Sequence, residues 1–114
     1  VIVLHGDGSF GMNAMDFDTA VRHRLPILVV ISLNGGWTGD PKREKPGRDL
    51  GFTRYDKMAE ALGGFGIYVE KPDDIRPALV EAARAVANGT PALVNVKTDP
   101  DARAVTAPFT VYTT

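Results

Sequence analysis

Two short stretches carry residue types that could do chemistry together. The first is Gly6-Asp7-Gly8-Ser9, which follows the apolar run Val1-Ile2-Val3-Leu4 and His5. Its glycines let a ligand come close to the backbone. Amide groups near Ser9 can donate to phosphate oxygens, and Asp7 offers a hard carboxylate oxygen to Mg²⁺ or Ca²⁺. The second stretch, Asn34-Gly35-Gly36, follows another apolar run, Ile27 to Ile31. Asn34 supplies a neutral side-chain carbonyl, and a turn at Gly35-Gly36 can present a backbone carbonyl. One divalent cation chelated by a diphosphate would use all of these donors. Two diphosphate oxygens, Asp7, Asn34, the Gly36 carbonyl and a water would complete the near-octahedral oxygen shell that Mg²⁺ prefers. Alone, Gly-Asp-Gly signals little, because it can simply close a strand-to-helix turn. A matching break at the end of the next strand makes the pair far more specific.

The elements that must position these residues follow from pattern. Val1–Leu4 reads as a fully buried strand. A helix is expected from about Asn13, as its cap, to Arg24, with Met12, Met15, Phe17 and Ala20 or Val21 on its apolar side. Pro26 and the Ile27–Ile31 run give a second strand, completing a parallel βαβ unit. Its two glycine breaks then share one sheet edge, where ligands of open parallel sheets bind. Residues 37–53 read as a long loop, Tyr55–Leu62 as a helix closed by Gly63-Gly64, and Phe65–Glu70 as a third strand. Pro72 with Asp73 and Asp74 starts a helix that Asn88-Gly89 stops after Ala87. Ala92–Lys97 is a fourth strand. The fold class is α/β, a three-layer sandwich around a mainly parallel sheet.

Composition narrows the possibilities. At 114 residues and 44% hydrophobic, the chain can form one cored domain. A formal net charge of −1 speaks against general nucleic-acid binding. Without cysteine there is neither a disulfide scaffold nor a Cys-based zinc site. No apolar run is long enough to span a bilayer, so no membrane role is expected, and a cytoplasmic location is the default. The start inside an apolar run suggests a piece of a longer polypeptide.

Gly6-Asp7-Gly8, 25 residues, then Asn34 resembles the signature of thiamine-diphosphate enzymes, over a stretch reaching about Asp101. The resemblance implies thiamine diphosphate and Mg²⁺ as cofactors and the diphosphate-binding (PP) domain as the fold. It makes Asp7, Asn34 and Gly36 the metal ligands, with Gly6, Gly8, Ser9 and Trp37 also at the cofactor. Leu33 departs from the pattern, standing where the family usually has a first Asn before the ligating one. The activating Glu of the family lies on another domain, so no catalytic residue is assignable here, and the chain alone should be inactive.

Gly11 to Ala20 looks like the acetolactate-synthase branch. Asn34 to Asp40 and Arg54-Tyr55-Asp56-Lys57-Met58 look more like oxalyl-CoA decarboxylase and 2-hydroxyacyl-CoA lyase. The implied activity is a C–C lyase releasing formyl-CoA and an aldehyde or ketone from a 2-hydroxyacyl-CoA; a decarboxylase or carboligase is the alternative. Implied partners are the pyrimidine-binding domain of another subunit, an acyl-CoA substrate, and a homodimeric or homotetrameric assembly. Residues 1–101 would form the cofactor domain and 102–114 a tail, either an active-site cover or a loose end. A non-catalytic flavodoxin-like module is the reading from another class. Trp37 is expected either to wall the substrate pocket or to pack on the core. His5 is a local strand-end group or a cofactor contact, and His23 marks a helix end. Lys42, Arg43, Lys45 and Arg48 are solvated charge or coenzyme A phosphate contacts.

Overall fold

In a computed structural model of the chain, which describes residues 1–37, 44 and 46–102, the elements are β1 (Ile2–Gly6), α1 (Asp7–Met12), α2 (Asp16–Arg22), β2 (Leu28–Leu33), α3 (Tyr55–Ala61), β3 (Phe65–Val69), α4 (Pro72–Ala87) and β4 (Ala92–Lys97). The sheet is wholly parallel, in the order β1-β2-β4-β3. Its two faces bury separate clusters. Phe10, Phe17 and Ala59 from α1, α2 and α3 pack with Val29, Ile31, Leu33 and Leu93 on one side. Ala78 and Ala82 of α4 pack with Leu28, Val69, Val94 and Val96 on the other. Helices therefore cover both faces, giving the three layers expected of the α/β class. Among the described residues no helix is long and apolar enough to cross a membrane.

The expected Val1–Leu4 strand is displaced, and it is not fully buried. Ile2 and Leu4 are each 74% exposed, and Val1 is exposed as well. The reason is position. β1 is an edge strand, and Ile2 and Leu4 stand in register with Leu28 and Val30 on the α4 side of the sheet. α4 lies over β3, β4 and the near part of β2. An apolar run shows that a strand is adhesive; it does not show that a helix covers it.

The helix expected from Asn13 to Arg24 is two helices. α1 starts directly at Asp7, and Asn13 is its C-terminal cap rather than an N-terminal one. Residues 13–15 turn the chain into α2, which His23 closes. Two of the residues expected on the apolar side, Met12 and Met15, are exposed, whereas Phe17 and Ala20 are buried. β2 begins and ends later than the apolar run suggested, reaching Leu33. α4 and β4 lie where the sequence places them, with Pro72 opening α4 and Asp73 and Asp74 in its first turn.

Candidate functional site

The register Gly6↔Ser32 sets the carboxyl ends of β1 and β2 side by side. Asp7 leaves β1 and is buried at the start of α1. Its carboxylate ties the two strand ends together. Oδ1 accepts from the Gly8 amide at 2.9 Å, and Oδ2 accepts from the Gly35 amide at 2.8 Å. Gly35 meets Asp7 through a backbone with φ of 78°, a conformation glycine adopts without strain. Each carboxylate oxygen has a further lone pair for another partner.

Asn34 sits at the end of β2, and its Oδ1 accepts from the Gly36 amide at 3.2 Å. Gly36 forms an antiparallel bridge with Asp49. The flanking bonds are Trp37 N–H to Arg48 O at 2.9 Å and Leu50 N–H to Gly35 O at 3.0 Å. In such a pair the central residue's own N–H and C=O point away from the partner strand. The Gly36 carbonyl therefore has no ladder partner, and among the described residues it accepts no hydrogen bond.

Gly6, Asp7, Gly8, Ser9, Ser32, Asn34, Gly36 and Trp37 line one cavity of about 280 Å³. It brings together every cofactor-binding residue expected from sequence; the seven are joined by Ser32. The Trp37 indole lies flat against Gly8: a Cβ on Gly8 would stand 2.8, 2.9 and 3.0 Å from three ring carbons. Trp37 is thus a wall of this cavity, and at 38% exposed it is not a core aromatic. Ser9 turns its hydroxyl back to the Gly6 carbonyl at 3.0 Å, and His5 Nδ1 stands 3.4 Å from the same hydroxyl. His5 is a local strand-end group, its ring edge-on to Phe10.

Among the described residues no three of His, Cys, Asp and Glu cluster as a metal site. The cavity instead offers one carboxylate and neutral oxygens, the set that suits Mg²⁺ when phosphate oxygens complete the shell. The residues fit a magnesium diphosphate on that ground, and on the unpartnered Gly36 carbonyl. Lys42, Arg43, Lys45 and residues 103–114 lie outside the described residues.

Sequence reasoning missed the segment that backs this loop. Arg48–Leu50 pairs with Gly35–Trp37, and Phe52 packs on Gly35. It placed Tyr55 in a helix and a motif but missed its edge-on contact with Phe10 at 5.0 Å. Burial raises the Tyr55 phenol above its usual pKa, and the negative charge of Asp7 adds to that shift. Pairing between two irregular, glycine-bearing stretches leaves no periodic signal. Only the Arg54-Tyr55-Asp56 motif pointed to this region.

Comparison with known proteins fits the geometry. The family model described as "Thiamine pyrophosphate enzyme, C-terminal TPP binding domain" matches residues 1–96. The chain belongs to this family. It is 43% identical over 113 residues to the acetolactate synthase large subunit IlvG of Mycobacterium tuberculosis, covering 88% of this chain and 19% of that protein. It is 38% identical over 116 residues to the 2-hydroxyacyl-CoA lyase of Oryza sativa subsp. japonica, covering 91% and 20%. Among solved structures, a thiamine diphosphate-dependent 4-hydroxybenzoylformate decarboxylase from Rhodococcus jostii RHA1 superposes with a TM-score of 0.74 at 29% identity, covering 87% of this chain and 20% of that one. The chain spans about a fifth of the length of the curated relatives it matches. The thiamine pyrophosphate-binding family, the α/β fold and the suspected branch are thus established, and a flavodoxin-like module is set aside.

Proposed function

We propose that this chain holds the diphosphate and Mg²⁺ of thiamine diphosphate in an enzyme that cleaves 2-hydroxyacyl-CoA to formyl-CoA and a carbonyl product. The observation that carries the reading is the shared cavity at the β1 and β2 ends, where Asp7, Asn34 and Gly36 stand together. Asp7 Oδ, Asn34 Oδ1 and the Gly36 carbonyl would hold the cation. Gly6, Gly8 and Ser9 would lie against the diphosphate, and Trp37 would wall the path toward the reacting end. A single carboxylate offsets only one of the cation's two charges and leaves the rest to the diphosphate, so metal and cofactor bind together. When bound, the cofactor supplies a thiazolium carbon nucleophile and an electron sink for the broken C–C bond. The residues of this chain place and neutralise it. The proton-moving Glu belongs to a pyrimidine-binding domain contributed by another subunit of a homo-oligomer. Residues 1–101 are the cofactor-holding unit, 102–114 a tail, and the setting cytoplasmic.

The lyase reading rests on the motifs Asn34 to Asp40 and Arg54 to Met58 and on the likeness to a 2-hydroxyacyl-CoA lyase. The 43% identity to an acetolactate synthase subunit favours a second reading, carboligation of 2-oxo acids. Calorimetric titration of the complete enzyme tests the shared part: Asp7→Ala should abolish Mg²⁺-dependent thiamine diphosphate binding, and undiminished binding refutes it. Formyl-CoA formed from a 2-hydroxyacyl-CoA supports the lyase, while acetolactate formed from pyruvate with no formyl-CoA supports the carboligase.

A further inference from the structure

A second polar cluster lies behind the cavity, inside the sheet–helix layer. Asp56, in the first turn of α3, is 1% exposed. Arg54 grips it with two bonds, Nε to Oδ1 at 2.8 Å and Nη2 to Oδ2 at 2.6 Å. The Arg54 guanidinium also lies 4.3 Å from the centre of the Tyr68 ring on β3. Asn95 reaches the cluster from β4, an inner strand, between Ile31 and Tyr68. Its Nδ2 donates to Asp56 Oδ1 at 3.3 Å and to the Thr53 carbonyl at 3.0 Å. Both partners are acceptors, which fixes the amide orientation and uses both of its donors. Its Oδ1 is buried with no partner among the described residues. The unpartnered oxygen is a cost that the two bonds from Nδ2 must offset. An aliphatic side chain would remove that cost but leave the Thr53 carbonyl without this donor, so packing alone does not account for Asn95.

Its contacts do. Thr53 ends the segment that runs from Arg48 and backs the Gly35–Trp37 turn. Trp37 N–H to Arg48 O and Leu50 N–H to Gly35 O hold one end of that segment to the turn. Phe52 packs on Gly35, and Lys97 Nζ stands 5.2 Å from the centre of the Phe52 ring. Asn95 holds the other end to the sheet. We propose that Asn95 and Asp56 are positioning residues for cation and diphosphate binding: they pin Thr53 and the Arg54 turn to an inner strand, and so keep the Gly36 carbonyl turned into the cavity. The inference rests on the reading that this cavity takes a magnesium diphosphate.

The test uses the complete enzyme with Asn95→Leu, Arg54→Lys and, as reference, Asp7→Ala. Calorimetry reads the affinity for Mg²⁺-thiamine diphosphate, and hydrogen exchange reads the Trp37 and Leu50 amides. Asn95→Leu should weaken cofactor binding about tenfold or more, as loss of support behind a metal ligand commonly does. Trp37 and Leu50 should exchange faster while Val94 in β4 keeps its protection, and turnover should recover as cofactor is raised. A variant that is merely destabilised would lose protection at Val94 as well. In that event Arg54→Lys decides, since it keeps a cation beside the buried Asp56 carboxylate while losing the two-bond fork; the same weakening and local exchange are expected, in smaller degree. Wild-type affinity and wild-type exchange at Trp37 and Leu50 in a folded variant overturn the proposal. If Asp7→Ala abolishes binding in that same series, only the positioning role fails. If Asp7→Ala also binds normally, the cavity reading itself fails.

Discussion

Gly8→Ala separates binding from stability at the centre of the site. The added methyl would stand 2.8 to 3.0 Å from three carbons of the Trp37 ring, against a favourable carbon–carbon separation of about 3.5–4.0 Å. The indole must therefore retreat by roughly 0.7–1 Å, and its 38% exposure leaves it room to do so. Losing a handful of ring contacts at about 0.1–0.2 kcal/mol each costs up to about 1 kcal/mol. Alanine in the first turn of α1 returns part of that, since glycine is up to about 1 kcal/mol poorer in a helix interior. Net stability should change by less than about 1 kcal/mol, which in the larger complete enzyme is a shift in Tm of no more than about 2–4 °C. Binding has no such compensation. The new methyl and the displaced indole both border the cavity, and overfilling it should cost about 1–3 kcal/mol of affinity, roughly five- to hundredfold. Thermal unfolding and calorimetric titration of the complete enzyme check the two parts separately. A variant that binds Mg²⁺-thiamine diphosphate as tightly as the wild type would refute the placement of the diphosphate beside Gly8.

Other outcomes follow from the same structure. Mg²⁺ alone should bind weakly and tighten when thiamine diphosphate is present, because Asp7 is the one carboxylate lining the cavity among the described residues; titrations with and without cofactor read the coupling, and equal affinities would contradict it. Burial pushes the Asp56 carboxyl up, but hydrogen bonds from Arg54 and Asn95 and the Arg54 charge outweigh it, so its pKa lies below the ordinary 3.8. Its stabilising contribution is complete above that ordinary value and is lost as pH falls through the lower folded value. Asp56→Asn should therefore flatten acid unfolding below about pH 4, measured by circular dichroism; an unchanged acid limb would sink this. Leu33→Ala, at a fully buried position beside Asn34, should cost about 2–5 kcal/mol in urea unfolding; a loss under about 1 kcal/mol would show that this strand end is loosely packed.

The legible parts of the fold are those written locally. Pro72, the Asp73-Asp74 pair and Asn88-Gly89 mark both ends of α4, and the apolar run Ala92–Lys97 marks β4, so both elements lie where the sequence places them. α1 escaped notice because Gly8 and Gly11 lower its helix propensity, while tertiary contacts of Phe10 hold it in place. The exposure of Ile2 and Leu4 depends on strand order, which a run of apolar residues does not encode. At the site, Asp7 and Asn34 were legible because a βαβ unit puts consecutive strand ends on one edge. The Arg48–Leu50 pairing and the Asn95–Asp56 contact join residues far apart in sequence and without period, so only the folded chain reveals them.

The direct measurement is the position of the metal itself. Crystals of the complete enzyme grown with thiamine diphosphate and Mn²⁺ in place of Mg²⁺ should show one anomalous peak at the ends of β1 and β2. It should lie within oxygen-ligand distance, about 2.0–2.3 Å, of an Asp7 carboxylate oxygen, Asn34 Oδ1 and the Gly36 carbonyl. A peak elsewhere, or a bound cofactor whose metal takes no oxygen from Asp7, would contradict the account.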